Sequence, residues 1–374
     1  MNYARASQGS TPKSSVASGV ATSEAVIAFD FWGAGNFGDD LMMDGFLRAL
    51  KYYGFDYEER LVSFTSSGLA SQRIRFPHVK WVGTDEGMQD TFLASSKVIL
   101  GVGDTPFQYT CGDWFLRRLE QIVETIADDA QLVFINVGAE EEALEAGDGF
   151  GAVLGRVNRC STRDAMSLSV LKRLGRRADD RLCQGGDLAG ISLQAMSANI
   201  RRDRRFRLGV ILGHDTFSER DLDAAKIFLE GLPGPIAFIT GDSRDGSGFE
   251  YQLFRSWTKR WFSPLRKKLI LMRPHYDSCA LKDLIQPIAE CDVILSSRFH
   301  GILAAAWMGC RVAAIGRSSK VVALAHQFGI PCVHLPLNIS SIKVAVENAT
   351  VVDCELLEAH RKMALQGVLA CKFW

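Results

Sequence analysis

Along most of the chain, short apolar runs alternate with stretches in which apolar residues recur every three or four positions. The runs Ala25–Trp32, Arg60–Thr65, Lys97–Val102 and Leu132–Val137 predict strands. After an interruption, so do Arg207–Leu212, Ile236–Thr240, Leu269–Met272, Val293–Ser296 and Arg311–Ile315. Between them Leu41–Tyr53, Trp114–Asp128, Ala165–Leu174, Glu219–Leu229, Cys279–Glu290 and Ile302–Met308 predict amphipathic helices. Strands that alternate with helices imply parallel sheets joined by right-handed crossovers. The interruption, Ser197–Arg207, is polar and strongly basic and reads as an interdomain linker. The expectation is two doubly wound α/β domains, 24–200 and 205–345, and a final helix within 353–374 that returns to pack on the first domain. Ligands of open α/β sheets sit beyond the carboxyl ends of the strands, so the expected site is the cleft between the two domains.

Composition narrows the class. The chain has 374 residues, 47% hydrophobic and 23% charged, enough to bury a core without disulfide or metal staples. No apolar run approaches the length of a membrane span. Residues 1–23 are mostly Ser, Ala, Gly and Thr, with Arg5 and Lys13 as their only basic residues. They read as a disordered tail rather than a signal peptide. The nine cysteines are scattered and form no C-x-x-C pair, which argues against zinc ribbons, iron–sulfur clusters and disulfide frameworks and suits a reducing, cytoplasmic setting. No metal or other cofactor is expected. Net charge is zero, but residues 1–190 carry 19 Lys and Arg against 26 Asp and Glu, a balance of −7. Residues 191–374 carry 24 against 17, a balance of +7. A nucleic-acid binder would be more basic overall. The asymmetry suits a second half that holds an anionic ligand.

Five motifs stand out, four of them at predicted strand tips. Gly33, Gly35 and Gly38 allow a tight turn before the first helix, with Asp39 placed to cap it and Asn36 and Asp39 placed to meet sugar hydroxyls. A capped turn without ligand is the plainer alternative. Gly103 and Asp104 close the third predicted strand. Arg163-Asp164 opens a helix that Gly175 ends, and Arg163 either grips an anion or pairs with Asp164. Ser296-Ser-Arg-Phe-His-Gly301 carries most weight, because it puts Arg298 and His300 at a strand's carboxyl end near a helix N-terminus. There Arg298 suits a carboxylate or phosphate, His300 suits proton transfer, and Gly301 permits close approach. Arg317 and Lys320, on the next strand tip, add positive charge. His214 and His275 also stand at strand ends. Trp257–Lys268 mixes aromatic and basic residues, either as a contact for an anionic membrane surface or as a helix whose aromatics face the core.

Together these motifs resemble the polysaccharide pyruvyl transferase family. Gly35-Asn-Phe-Gly-Asp39 resembles its N-terminal signature, and Arg163-Asp-x-x-Ser167 with Gly175 and Gly186-Asp-Leu-Ala189 its middle block. Arg298-Phe-His-Gly301 resembles its R-x-H-(G/A) signature, followed by Lys320 and Phe328-Gly-Ile330. The resemblance covers about 25–345 in order. It departs at Gly101-Val-Gly103, where members show a fuller glycine run, and at Trp32 and Phe299. It implies two facing Rossmann-like domains, similar to glycosyltransferase-B enzymes, with a central cleft. It also implies transfer of the pyruvate unit of phosphoenolpyruvate onto two hydroxyls of a sugar, giving a cyclic ketal and phosphate. On that reading Arg298, Lys320, Arg163, Arg317 and Gly301 bind the donor. His300 is the acid and Asp39, or Asp104, the base. Asn36, Gly38, Asp39, Gly103 and Asp104 meet the acceptor, free, polymeric or lipid-linked. The competing expectations are a nucleotide-sugar glycosyltransferase of the same fold and a non-catalytic carbohydrate-binding protein.

Overall fold

The computed structural model describes residues 25–373 except 30–31, 59, 85–87, 110–111, 147, 176–179, 214–216, 242–247, 260–262 and 273–274. The tail 1–23, His214, Trp261 and Phe262 lie outside the described residues.

Seven parallel strands form the first sheet: β1 (Ala25–Ile27), β2 (Leu61–Thr65), β3 (Lys80–Gly83), β4 (Val98–Val102), β5 (Gln131–Val137), β6 (Arg159–Thr162) and β7 (Leu182–Gln184), in the spatial order β3-β2-β1-β4-β5-β6-β7. The second sheet repeats the plan with β8 (Phe206–Ile211), β9 (Ile236–Ile239), β10 (Leu269–Met272), β11 (Cys291–Ser296), β12 (Arg311–Gly316) and β13 (Cys332–His334), ordered β10-β9-β8-β11-β12-β13. A short β14 (Thr350–Val351) pairs antiparallel with β12. The winding reverses between β1 and β4, and between β8 and β11. A crevice opens at each reversal, beyond the strands' carboxyl ends. The chain is therefore an α/β protein of two Rossmann-like sheets.

The strands are apolar because helices cover both faces. One continuous apolar cluster joins the domains. It holds Leu41 and Phe46 of helix Phe37–Tyr52, Leu188 and Leu193, then Ile302 and Leu303 of helix Phe299–Trp307 in the second half. Between the sheets, Arg204 anchors the basic stretch by donating to the carbonyls of Ala289, Met308 and Gly309. Helix Cys354–Ala370 lies against the first domain: Asn136 Nδ2 donates to Ala364 O at 2.8 Å, and Tyr53 Oη donates to Leu365 O at 3.0 Å.

Within the Trp257–Lys268 segment, the described residues Trp257 and Lys268 are engaged by the second domain. Trp257 is buried edge-on against Phe238, and Lys268 Nζ donates to the carbonyls of Glu230 and Leu232. The apolar face of helix Phe249–Thr258 has the second sheet to cover, which leaves Trp257 none to offer a bilayer. Among the described residues, no helix is long and apolar enough to cross a membrane.

Candidate active site

Five strand tips of the first sheet and three of the second carry the charged residues of the cleft. After β1, Asn36 caps helix Phe37–Tyr52, its Oδ1 accepting from Gly38 N–H at 3.1 Å. The helix thus starts before Asp39, which stands in its first turn rather than at the expected cap. Asn36 Nδ2 donates to Asp39 Oδ1 at 3.1 Å. After β4, Gly103 and Asp104 both take positive φ, +60° and +54°, turning the backbone sharply. After β5 comes Glu140, buried. After β6, Arg163 is buried; its Nη2 donates to Thr105 Oγ1 at 3.0 Å, and Asp164 lies 3.4 Å from its Nε. After β7, Asp187 is fully buried.

From the second sheet, Arg298 caps helix Phe299–Trp307 with extended backbone, so His300 belongs to that helix's first turn. Arg298 Nε donates to Glu250, whose other oxygen accepts from Gly241 N–H at 2.6 Å. His300 Nε2 stands 3.5 Å from Asp187 Oδ2 across the cleft. Lys320 Nζ reaches the first domain as well, 3.0 Å from Glu140 Oε1. The guanidinium of Arg163 lies over the Phe299 ring, 4.9 Å from its centre. Arg317 Nε donates to Ser297 O at 2.9 Å.

These contacts set the electrostatics. Burial, then the neighbouring Asp104 and Asp40, hold the Asp39 carboxyl well above the usual carboxylate range, against the pull of Arg298 and Asn36. Burial raises Asp104 too, against Lys320, Thr105, Arg163 and His300. Burial also acts to raise Asp187, but His300, Arg163 and His360 outweigh it and bring Asp187 down to about 2. Burial and Arg163 lower Lys320, opposed by Glu140 and Asp104. The cleft therefore holds an ionised carboxylate against His300 and two carboxyls, Asp39 and Asp104, that resist ionisation.

The expected residues converge, with corrections. Asn36 also caps the helix start, with one bond accepted at Oδ1 and one donated by Nδ2. Three glycines make room for neighbouring protein atoms. A β-carbon on Gly38 would overlap His300 Nδ1. One on Gly103 would stand 2.8 Å from Met42 Sδ, and one on Gly301 2.6 Å from Ser296 Oγ. Gly301 therefore seats its helix closely on β11. His275 is exposed. Sequence reasoning missed three acids: Glu140, Glu250 and Asp187. Asp187 lies inside the Gly186-Asp-Leu-Ala189 block without having been given a role. Glu140 opens an acidic run that reads as solvated, and Glu250 is an unremarked helix residue.

Two Rossmann-like domains thus bring these charged side chains together at the cleft between them. A sequence profile of the polysaccharide pyruvyl transferase family matches residues 36–319, and the chain belongs to that family. It is accordingly a transferase, and the family implies a sugar acceptor. No curated protein matches the chain. Among solved structures, it is similar to the UDP-GlcNAc 2-epimerase of Methanocaldococcus jannaschii, with 11% identity, 88% of this chain and 95% of that chain covered, and a TM-score of 0.57. It is also similar to Anabaena Alr3699/HepE in complex with UDP, with 11% identity, 93% and 97% covered, and a TM-score of 0.53. At that identity the likeness is one of fold, the glycosyltransferase-B arrangement.

Proposed function

We propose that the protein transfers the pyruvate unit of phosphoenolpyruvate to two hydroxyls of a sugar, forming a cyclic ketal and releasing phosphate. The observation that carries this reading is the convergence of Arg163, Arg298 and Lys320 on a cleft that also holds His300 and two carboxyls of raised pKa. A donor with both a carboxylate and a phosphate needs fixed cations. Here each cation is held by a partner, Arg298 by Glu250, Lys320 by Glu140 and Arg163 by Thr105, so its position is set before the donor arrives. The loop 316–320 runs into helix Ser319–Gln327, whose free N–H groups add to the anion site beside Arg317.

The chemistry follows from these groups. His300, protonated, gives its proton to the donor's methylene carbon, and C2 becomes electrophilic. One sugar hydroxyl adds to C2 and loses its proton to Asp39 or Asp104. The C2–O bond to phosphate breaks, and the second hydroxyl closes the ketal. Of the two hydroxyl protons, one replaces the proton lost by His300 and the other leaves on phosphate. No metal ion is needed for the scheme. A free or a lipid-linked sugar would serve equally. A nucleotide-sugar transferase is less well supported, since the buried acid Glu250 of the second domain is engaged by Arg298 and Gly241.

Calorimetric titration with phosphoenolpyruvate, with uridine and guanosine diphosphates as controls, tests the reading. Removing Arg298 alone would strand the buried Glu250 charge, so the informative variant is R298M combined with E250Q. Phosphoenolpyruvate should bind the native protein and bind this variant at least about tenfold more weakly, the loss of one charge-assisted contact. Binding of a nucleotide diphosphate without phosphoenolpyruvate would overturn the proposal.

A further inference from the structure

Helix Cys354–Ala370 does more than cover the edge of the first sheet. A β-carbon on Gly186 would come within 2.8 Å of Ala364 N, and one on Gly367 would overlap Asn136 Oδ1. The helix therefore rests directly on the backbone that leads into Asp187. It also delivers His360, which is 3% exposed, to that backbone. Asp187 N–H donates to His360 Nε2 at 3.4 Å. An accepting Nε2 requires a neutral ring with its proton on Nδ1. Burial, which lowers the pKa of His360 against the pull of Asp187 and Asp164, favours that neutral form.

Asp187 is then fixed at two points. Its N–H is held by His360, and its Oδ1 accepts from Ala189 N–H at 2.9 Å. Its Oδ2 has no hydrogen-bond partner among the described residues and faces His300 Nε2, which has none either, at 3.5 Å. The other nitrogen of His300, Nδ1, is turned to Gly38 at the start of the helix that carries Asp39.

We propose that Asp187 and His360 are positioning residues for His300, and that the C-terminal helix is thereby part of the active site. The inference rests on His300 being the acid of the proposed reaction. The carboxylate keeps one proton of His300 on Nε2. Nδ1 is then the atom that exchanges protons with the donor. As the C2=C3 electron pair takes the Nδ1 proton to form the new C–H bond, the ring becomes neutral with its remaining proton still against Asp187. The helix fixes the angle of that carboxylate through His360, as second partners orient working histidines elsewhere.

Imidazole nitrogen spectra of the full chain, without any ligand, test this. Neutral His300 should carry its proton on Nε2. In Asp187→Asn the amide oxygen must keep accepting from Ala189 N–H, which turns the NH₂ group toward His300 and should move the proton to Nδ1. In His360→Phe the acceptor for Asp187 N–H is gone, and His300 should show a mixture of tautomers. His360→Gln, which still offers an oxygen, should restore the native one. A native His300 that is protonated on Nδ1 when neutral overturns the proposal, and so does an Asp187→Asn protein with an unchanged tautomer. The native spectrum decides the matter even if a variant does not fold. Phosphoenolpyruvate affinity, measured on the same proteins, tests the functional reading separately, and a positioning role predicts that Asp187→Asn retains it.

Discussion

Asp39 and Asp104 are the pair on which the cleft's response to pH turns. Both are held above the ordinary carboxylate range, chiefly by burial, and Asp39 is pushed further by the charge of Asp104. An arriving anion raises both again, so donor binding should take up protons. Affinity for phosphoenolpyruvate should therefore fall as pH rises through the titration of the pair, by at most about tenfold per pH unit for each proton taken up. Calorimetry in two buffers of different ionisation enthalpy reads the uptake directly, and Asp39→Asn should flatten the slope. Binding that is independent of pH and of buffer would mean that the pair does not sense the donor's charge. At this scale the chain was legible where a residue's place along a strand–helix junction decides its use. Arg163, Arg298, His300 and Lys320 could be singled out because strand tips face the crevice. Glu140, Glu250 and Asp187 could not, because an acid in a sequence looks solvated until the fold buries it.

Helix starts next to the cleft set the aim of its charged groups. Asp164 caps helix Ala165–Leu174, its Oδ1 accepting from Ser167 N–H at 2.6 Å, while its other oxygen lies beside Arg163. Asp164→Ala should cost about 1 kcal/mol, the usual worth of such a cap. In a domain of this size that lowers the melting temperature by about 2–4 °C. It should also weaken phosphoenolpyruvate binding, because Arg163 loses one of its side-chain partners. Calorimetric melting together with donor titration checks both, and an unchanged melting temperature would mean that the cap is idle. This helix was predicted with its observed limits because cap, apolar period and final Gly175 agree. The strand before it was not predicted. β6 reads Arg-Cys-Ser-Thr, with no apolar run, and its buried Ser161 is satisfied by Asn136, donating to Oδ1 at 2.8 Å and accepting from the backbone N–H at 2.9 Å. Only the sheet order brings β5 beside β6, so no local pattern announces the strand. The same holds for β3, β7 and β13, of three or four residues each.

The two domains meet across a buried charge as well as an apolar core. Asp40, fully buried at the start of helix Phe37–Tyr52, accepts from Gln72 Nε2 at 3.0 Å, from Arg75 Nη1 at 2.8 Å and from the hydroxyl of Tyr276. Tyr276 belongs to the second domain; its carbonyl accepts from Arg75 Nη2, and the guanidinium lies 4.1 Å from the centre of its ring. Burial raises Asp40, and Arg75, Tyr276 and Gln72 oppose it. This clasp was not legible in the sequence, since its members lie far apart along it. Its energetics are separable by substitution. Tyr276→Phe removes one bond from a carboxylate that keeps two others and should cost about 1–3 kcal/mol. Arg75→Met leaves the charge buried without its counterion and should cost about 3–5 kcal/mol. Adding Asp40→Asn to Arg75→Met should recover part of that loss, since the uncompensated charge is then gone. Because Asp40 adjoins Asp39 and Tyr276 ties the same turn to the second domain, loosening the clasp should also weaken donor binding, while the tyrosine variant keeps both sheets folded. Denaturant unfolding followed by tryptophan fluorescence, with Trp32 and Trp81 in the first domain and Trp257 and Trp307 in the second, measures the stabilities and the coupling together. If Arg75→Met costs no more than Tyr276→Phe, the clasp is not an electrostatic one.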